Sequence, residues 1–268
     1  MAMLNQESGR STADQAIGTD RSMGERKSTA DRPTAVEACA NSGSHAPRIA
    51  VVDYCKGNLM SVERGLRRTG AEAFITADPA EIACADAIVL PGVGAFADAA
   101  ETMQRCGQMA VVRDRIAAGV PFLGICLGLH LMFDEGTEGT DFENDEADNA
   151  HGLAVLPGVA RAMPRTDEQG NSYKVPHVGW NSIEFDAAEP TPLLAGIPSG
   201  EHFYFTHSYI APDTPCTVAT TTHSVMFPSV VSYRDTAFGV QFHPEKSSDA
   251  GMVLLEHFVN LVQLAKGA

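Results

Sequence analysis

No stretch of this 268-residue chain holds the roughly 18 consecutive apolar residues that a membrane-spanning helix needs. The N-terminus lacks the basic-then-apolar order of a secretion signal, so a cytoplasmic protein is expected. Positive charge is scarce: 19 Lys and Arg stand against 34 Asp and Glu, a formal charge of −15. That balance argues against a nucleic-acid or anionic-membrane surface, since both reward clustered Lys and Arg. One stretch contributes eight acids with no Lys or Arg at all: Asp134, Glu135, Glu138, Asp141, Glu143, Asp145, Glu146 and Asp148. A solvated loop is the plain reading of most of it. Cysteine pairs are missing too. Residues 39, 55, 84, 106, 126 and 216 form no Cys-x-x-Cys unit, which argues against a disulfide scaffold or zinc knuckle and for reduced thiols. No internal repeat is visible.

What is present supports a full core, because 44% of the residues are hydrophobic. Met1 to about Pro47 is rich in Ser, Thr, Ala, Asp, Arg and Gly without apolar periodicity, so residues 1–47 are expected to be a disordered extension and 48–268 the folded domain. From Arg48 the pattern alternates. Ile49 to Val52 reads as a strand, Leu59 to Thr69 as a helix stopped by Gly70, Ala73 to Thr76 and Ala87 to Leu90 as further strands, and Met109 to Ala118 as a helix ended by Gly119. Such spacing means βαβ units and a mostly parallel sheet with ligands at the carboxyl ends of its strands. Beyond Gly152 shorter strands are expected near Ala160, Ile183, His202 to Phe205, Val218 to Thr222 and Val230 to Tyr233, an antiparallel portion added to the sheet. A last strand, Gly239 to Phe242, precedes a helix from about Ser248 to Ala265.

The chain is organised around Pro121 to Phe133, PFLGICLGLHLMF. An apolar run to Ile125 reads as a buried parallel strand, and it passes without a polar linker into Leu127 to Phe133, which suits a helix. At the junction Cys126 lies between Gly124 and Gly128, the thiol counterpart of the strand-turn-helix elbow that holds a nucleophile in a sharp turn. Free backbone N–H groups and the dipole of the following helix would favour its thiolate. A buried core cysteine is the other fate open to this residue.

Two further segments bear on that choice. His243 ends a strand, and Glu245 follows after a stiffening proline, so Cys126, His243 and Glu245 make a nucleophile, a base and an orienting carboxylate at one sheet edge. Pro91-Gly92-Val93-Gly94 also sits at a strand end, where its backbone N–H groups can serve as an oxyanion hole or form an ordinary turn.

LPGVGAF (90–96), GICLGLHLMF (124–133) and QFHPEKS (241–247) together resemble the three signatures of the class I, triad-type glutamine amidotransferases. KVPHVGWN (174–181), FYFTHSY (203–209) and GNLMSV (57–62) resemble the branch of that family that acts in histidine biosynthesis. The resemblance covers about Arg48 to Ala265. It implies a flavodoxin-like α/β sheet with helices on both faces and a glutaminase with no cofactor and no metal. Cys126 would attack the glutamine amide, His243 would shuttle the proton and Glu245 would orient it. Leu127 and the Gly92-Val93 peptide would supply the oxyanion donors. Gly94, His130, Glu138, His207, Ser208 and Tyr209 would hold the substrate, with Glu138 on its α-amino group. Ammonia needs an acceptor, and the resemblance implies a heterodimer with a (β/α)₈ cyclase docked over Asn58, Pro176, His177 and Trp180. Two positions depart from the family: His130 replaces a usual Gln, and Cys55 a frequent Gly whose turn would strain a side chain. An amidotransferase for another acceptor would lack KVPHVGWN, a different cysteine hydrolase would not need His-Pro-Glu, and a scaffold protein would not need the triad.

Overall fold

The computed structural model describes residues 46–139 and 149–267. The extension expected over 1–47 lies outside them except for its last two residues, as do Asp141, Glu143, Asp145, Glu146 and Asp148. The chain begins β1 (Arg48–Val52), α1 (Leu59–Arg68), β2 (Glu72–Thr76), α2 (Pro79–Ala83), β3 (Ala87–Gly92), α3 (Phe96–Arg105), α4 (Gln108–Ala117), β4 (Phe122–Cys126) and α5 (Leu127–His130). It continues through β5 (Phe133–Gly136), β6 (Ala150–His151), β7 (Leu156–Ala162), β8 (His177–Ser182), β9 (His202–His207) and β10 (Tyr209–Ile210). β11 (Thr217–Thr222), β12 (Met226–Tyr233), β13 (Ala237–Val240), a 3₁₀ turn (Pro244–Lys246) and α6 (Ser248–Gly267) complete it.

The main sheet has seven strands in the order β11-β12-β13-β4-β3-β1-β2. All neighbours from β13 to β2 are parallel, and β12 and β11 are antiparallel additions. β1 explains the two-sided burial. Ile49 and Val51 pack with Val62 and Leu66 of α1 and Leu254 and Phe258 of α6, while Ala50 and Val52 pack with Ile82, Phe96, Met103 and Val112 of α2, α3 and α4. A strand buried on both faces reads as a continuous apolar run. Helix ends follow local chemistry: Asp78 caps α2 through the Ala80 N–H with Pro79 at the first position, and Gly70 and Gly119 take left-handed φ of 89° and 81° after α1 and α4.

Several expectations need correction. The helix expected over 127–133 is one turn, because Phe133 starts β5; a short apolar run carries no period long enough to separate helix from strand. β7 and β10 belong to a separate four-stranded sheet with β5 and β6, and β8 pairs with β9 alone, so only β11 and β12 extend the main sheet. The KVPHVGWN segment is largely strand, ending one residue before Ile183. α2 and α3 were unforeseen, although Phe96, Ala99, Ala100 and Met103 mark the buried face of α3 at helical spacing. Cys55, Cys106, Cys126 and Cys216 are free, but Cys84 is disulfide-bonded, so reduced thiols throughout is not what the structure contains. Among the described residues no helix is long and apolar enough to cross a membrane.

Candidate active site

β4 delivers Cys126 into a backbone conformation that its neighbours impose. Its φ of 54° and ψ of −105° lie where a non-glycine residue costs on the order of 1–3 kcal/mol. The flanking glycines make the turn possible by packing, not by clearing a path for substrate. A Cβ on Gly128 would lie 1.8 Å from the Leu90 carbonyl oxygen, and one on Gly124 would lie 2.4 Å from that of Gly128. The elbow therefore fits tightly against β3. With α5 reduced to one turn, the support it gives a thiolate is the local N–H of Leu127 and its neighbours, not a long helix dipole.

His243 and Glu245 come from the turn after β13. His243 Nδ1 donates to Glu245 Oε1 at 3.0 Å, with the two side chains 2% and 1% exposed. The turn is pinned to β9: the His243 N–H donates to the Tyr204 carbonyl at 2.9 Å, and Ser247 Oγ bridges the His243 carbonyl and the Tyr204 N–H. Burial alone would lower the His243 pKa, but Cys126 and Glu245 outweigh it and raise it to about 9. Its Nε2 meets no partner within strict hydrogen-bond geometry, yet the Cys126 sulfur is close enough to favour its proton. The thiol itself points to the Thr206 carbonyl at 3.9 Å.

Above Cys126 lies a cavity of about 220 Å³ lined by Val93, Gly94, Leu127, His130, Glu138, Pro176 and the Thr206–Tyr209 segment. The expected substrate residues thus meet at one place, although β3, α5, the loop after β5 and the β9–β10 join supply them. Burial, followed by the Asp98 charge and against a hydrogen bond from the Phe96 backbone, raises the Glu138 carboxyl to about 7. His207 offers no free ring nitrogen: Nδ1 donates to the Tyr209 carbonyl at 2.9 Å and Nε2 accepts from His177 Nδ1 at 3.0 Å. Burial first, then the neighbouring imidazoles, hold its pKa near about 3 despite the Tyr209 carbonyl. His130 has committed Nε2 to Gln241 Oε1 at 2.8 Å, which leaves Nδ1 as the only ring nitrogen for a ligand.

Gly92 is buried behind the cavity, while Val93 is 41% exposed and Gly94 has φ 96°. Tyr54 explains why position 92 must be glycine. Its hydroxyl donates to the Pro91 carbonyl at 3.0 Å and would lie 2.1 Å from a Cβ at Gly92. The sequence reading missed Tyr54; a large aromatic inside the polar turn Asp53–Asn58 was the available signal. It also missed Gln241, a lone amide in an apolar run. Cys55 does take the strained conformation, at φ 69°, with its N–H held by Asp53 Oδ1.

The four residues expected at a partner surface separate. Trp180 is 52% exposed and packs edge-on against Tyr204, so it is not a core anchor. Strand alternation turns Val178 outward with it and His177 inward, so His177 is buried against His207 and stacked on His223 and does not form outer surface. Pro176 lines the cavity. Asn58 is half-buried, and its Nδ2 donates to Glu245 Oε1 at 3.4 Å. Among the described residues no group of three or more His, Cys, Asp or Glu is placed to hold a metal ion.

Residues 50–261 match the family model described as glutamine amidotransferase class-I. An imidazole glycerol phosphate synthase subunit HisH of Moorella thermoacetica is 44% identical over 221 residues, covering 82% of this chain and 98% of the relative. The subunit of the same name from Shouchella clausii is 40% identical over 216 residues, 80% of this chain and 99% of the relative. Among solved structures, a crystal structure of a glutamine amidotransferase matches with a TM-score of 0.59 at 18% identity, over 80% of this chain and 98% of the other. PurLQS from Thermotoga maritima matches with a TM-score of 0.57 at 18% identity, over 81% and 99%. At such identity the two solved structures speak for the fold alone.

Proposed function

The chain belongs to the class I glutamine amidotransferase family, and from that premise we propose that it is the glutaminase subunit of an imidazole glycerol phosphate synthase, feeding ammonia to a partner subunit in histidine biosynthesis. One observation carries it: Cys126, His243 and Glu245, from two distant segments, converge beside a cavity whose wall includes Glu138.

The chemistry follows from that placement. Cys126 attacks the side-chain amide carbon of glutamine as a thiolate, and the carbonyl oxygen becomes an oxyanion. The N–H of Leu127 and the N–H of the Gly92-Val93 peptide receive that charge; one such donor is typically worth roughly 10²–10³ in rate. His243, held in one tautomer by Glu245, gives its proton to the nitrogen, and the C–N bond breaks to leave ammonia and a thioester. Water then loses a proton to His243 and attacks the thioester, so glutamate leaves and the thiol is restored. Glu138 pairs with the α-ammonium of the substrate, and Gly94, His130, His207, Ser208 and Tyr209 surround its amino-acid end.

The partner is a (β/α)₈ cyclase that joins this chain in a cytoplasmic heterodimer. Trp180 supports that contact. It stands exposed with Val178 and borders a groove of about 410 Å³ that Ile197, Pro198 and Val253 also line. Large exposed aromatics beside a groove are the usual anchors of an interface. Asn58, also expected at the partner surface, donates to Glu245 Oε1 and so touches the triad.

The decisive experiment is Cys126→Ala assayed with the cyclase on two nitrogen sources. Glutamine-dependent synthesis is abolished and ammonia-dependent synthesis persists, because the thiolate acts only in releasing ammonia. Equal loss of both makes Cys126 structural and defeats the assignment.

A further inference from the structure

Gln241 takes no part in the steps above, yet it is fully buried directly behind the nucleophile. Its side chain touches two site residues at once. Oε1 faces His130 Nε2 at 2.8 Å, and Nε2 donates to Cys126 Sγ at 3.8 Å. We propose that Gln241 is a positioning residue: His130 fixes the orientation of its amide so that an N–H points at Cys126 Sγ and holds the thiolate before glutamine arrives. The inference rests on Cys126 being the nucleophile.

The chemistry of the amide makes its orientation matter. Reversed, it would set Oε1 against Sγ, an oxygen that can accept from a thiol but repels a thiolate. Which end faces the sulfur depends on the proton of His130. With Nε2–H the ring donates to Oε1 and sends the amide N–H to sulfur. Burial keeps this imidazole neutral, with a pKa near about 4 even though its bond to Gln241 raises it, so one ring nitrogen carries hydrogen and the other is bare.

Every element around Sγ contributes a group. The Thr206 carbonyl on β9 favours the protonated thiol, and His243 favours the thiolate. The buried Tyr54 phenol from the loop after β1 is near enough to feel the thiolate charge, and His207 lines the same cavity. Gln241 is thus the side-chain donor on Sγ, and unlike His243 it carries no charge to lose as the pH rises.

The test uses the full chain without substrate or partner. The rate of Cys126 alkylation by iodoacetamide is followed across a pH series and read at the Cys126 peptide by mass spectrometry, since Cys55 and Cys106 are exposed and react too. The apparent midpoint read at Cys126 is the observable, a property of the coupled Cys126–His243 pair. Gln241→Leu raises it by about one pH unit, the size set by losing a hydrogen bond to a charged group. His130→Leu raises it as Gln241→Leu does, and His130→Gln, which keeps a donor, leaves it where it was. An unchanged midpoint in Gln241→Leu with a native circular dichroism spectrum overturns the proposal, as does an equal shift in the two His130 variants. Should Gln241→Leu fail to fold, Gln241→Met, which keeps the length of the side chain without its donor, decides, and an unshifted midpoint there is equally fatal. A shifted midpoint in a protein that turns over no glutamine even with its partner would sink the glutaminase reading and leave this one standing.

Discussion

Replacing Glu138 by Gln removes one negative charge from the cavity wall while keeping the side chain's shape. Burial and Asp98 hold this carboxyl at a pKa of about 7, against the Phe96 backbone hydrogen bond. An α-ammonium needs the ionised form, so the sign is fixed: above pH 7 the carboxylate is ready and KM for glutamine is flat. Below it the group must first lose a proton, and KM rises about tenfold for each pH unit. The size of the mutational effect follows from the charged pairing that the amide cannot reproduce. A hydrogen bond to a charged group contributes about 1.5–3 kcal/mol, and because Glu138 is only partly buried, solvent screening puts it at the low end. Glu138→Gln therefore raises KM roughly 10- to 30-fold at alkaline pH and lowers kcat less, since this pairing is made equally in the ground and transition states. It also flattens the dependence of KM on pH around neutrality. Glutamate release with the cyclase present, measured over a grid of glutamine concentration and pH, reads both effects. A KM that keeps its rise below pH 7 in Glu138→Gln assigns the titration to another group. An unchanged KM returns Glu138 to the solvated loop.

Gly128→Ala is a folding lesion and not a kinetic one: its Cβ meets the backbone carbonyl oxygen of Leu90 at 1.8 Å, where no side-chain rotation can relieve it, and about 3 kcal/mol or more of stability is lost. Thermal unfolding reads it, and a parental Tm refutes the tight fit of the elbow on β3. Trp180→Ala leaves the circular dichroism spectrum native because the ring is 52% exposed, and weakens binding of the cyclase about 30-fold or more by calorimetric titration, as the loss of a central aromatic anchor does. Unaltered affinity moves the interface elsewhere.

The main sheet and the elbow that carries Cys126 were legible because they obey short-range rules. Ile49–Val52, Ala87–Leu90 and Phe122–Ile125 are compact apolar runs bounded by glycine or polar turns, and Gly-x-Cys-x-Gly marks an elbow by its spacing alone. The second sheet was not, because β5, β6 and β10 have four residues or fewer and no period can show in so short a span. His177 and Trp180 look alike in KVPHVGWN; only the strand conformation of the segment sends one inward and the other out.

By itself, the sequence determined the residue types: a thiol between two glycines, a His-Pro-Glu turn, two glycines after a strand, and an acid run with no compensating charge. These are local choices, each written into a few adjacent positions. The tertiary structure decided what those groups experience. It put Gln241 behind a sulfur 115 residues away, Tyr54 under a carbonyl 37 residues away and Asn58 on a carboxylate 187 residues away. It also decided which of nine histidines is raised and which are depressed. The reason is physical: a hydrogen bond or a desolvation penalty depends on distance in space, and neither depends on separation along the chain.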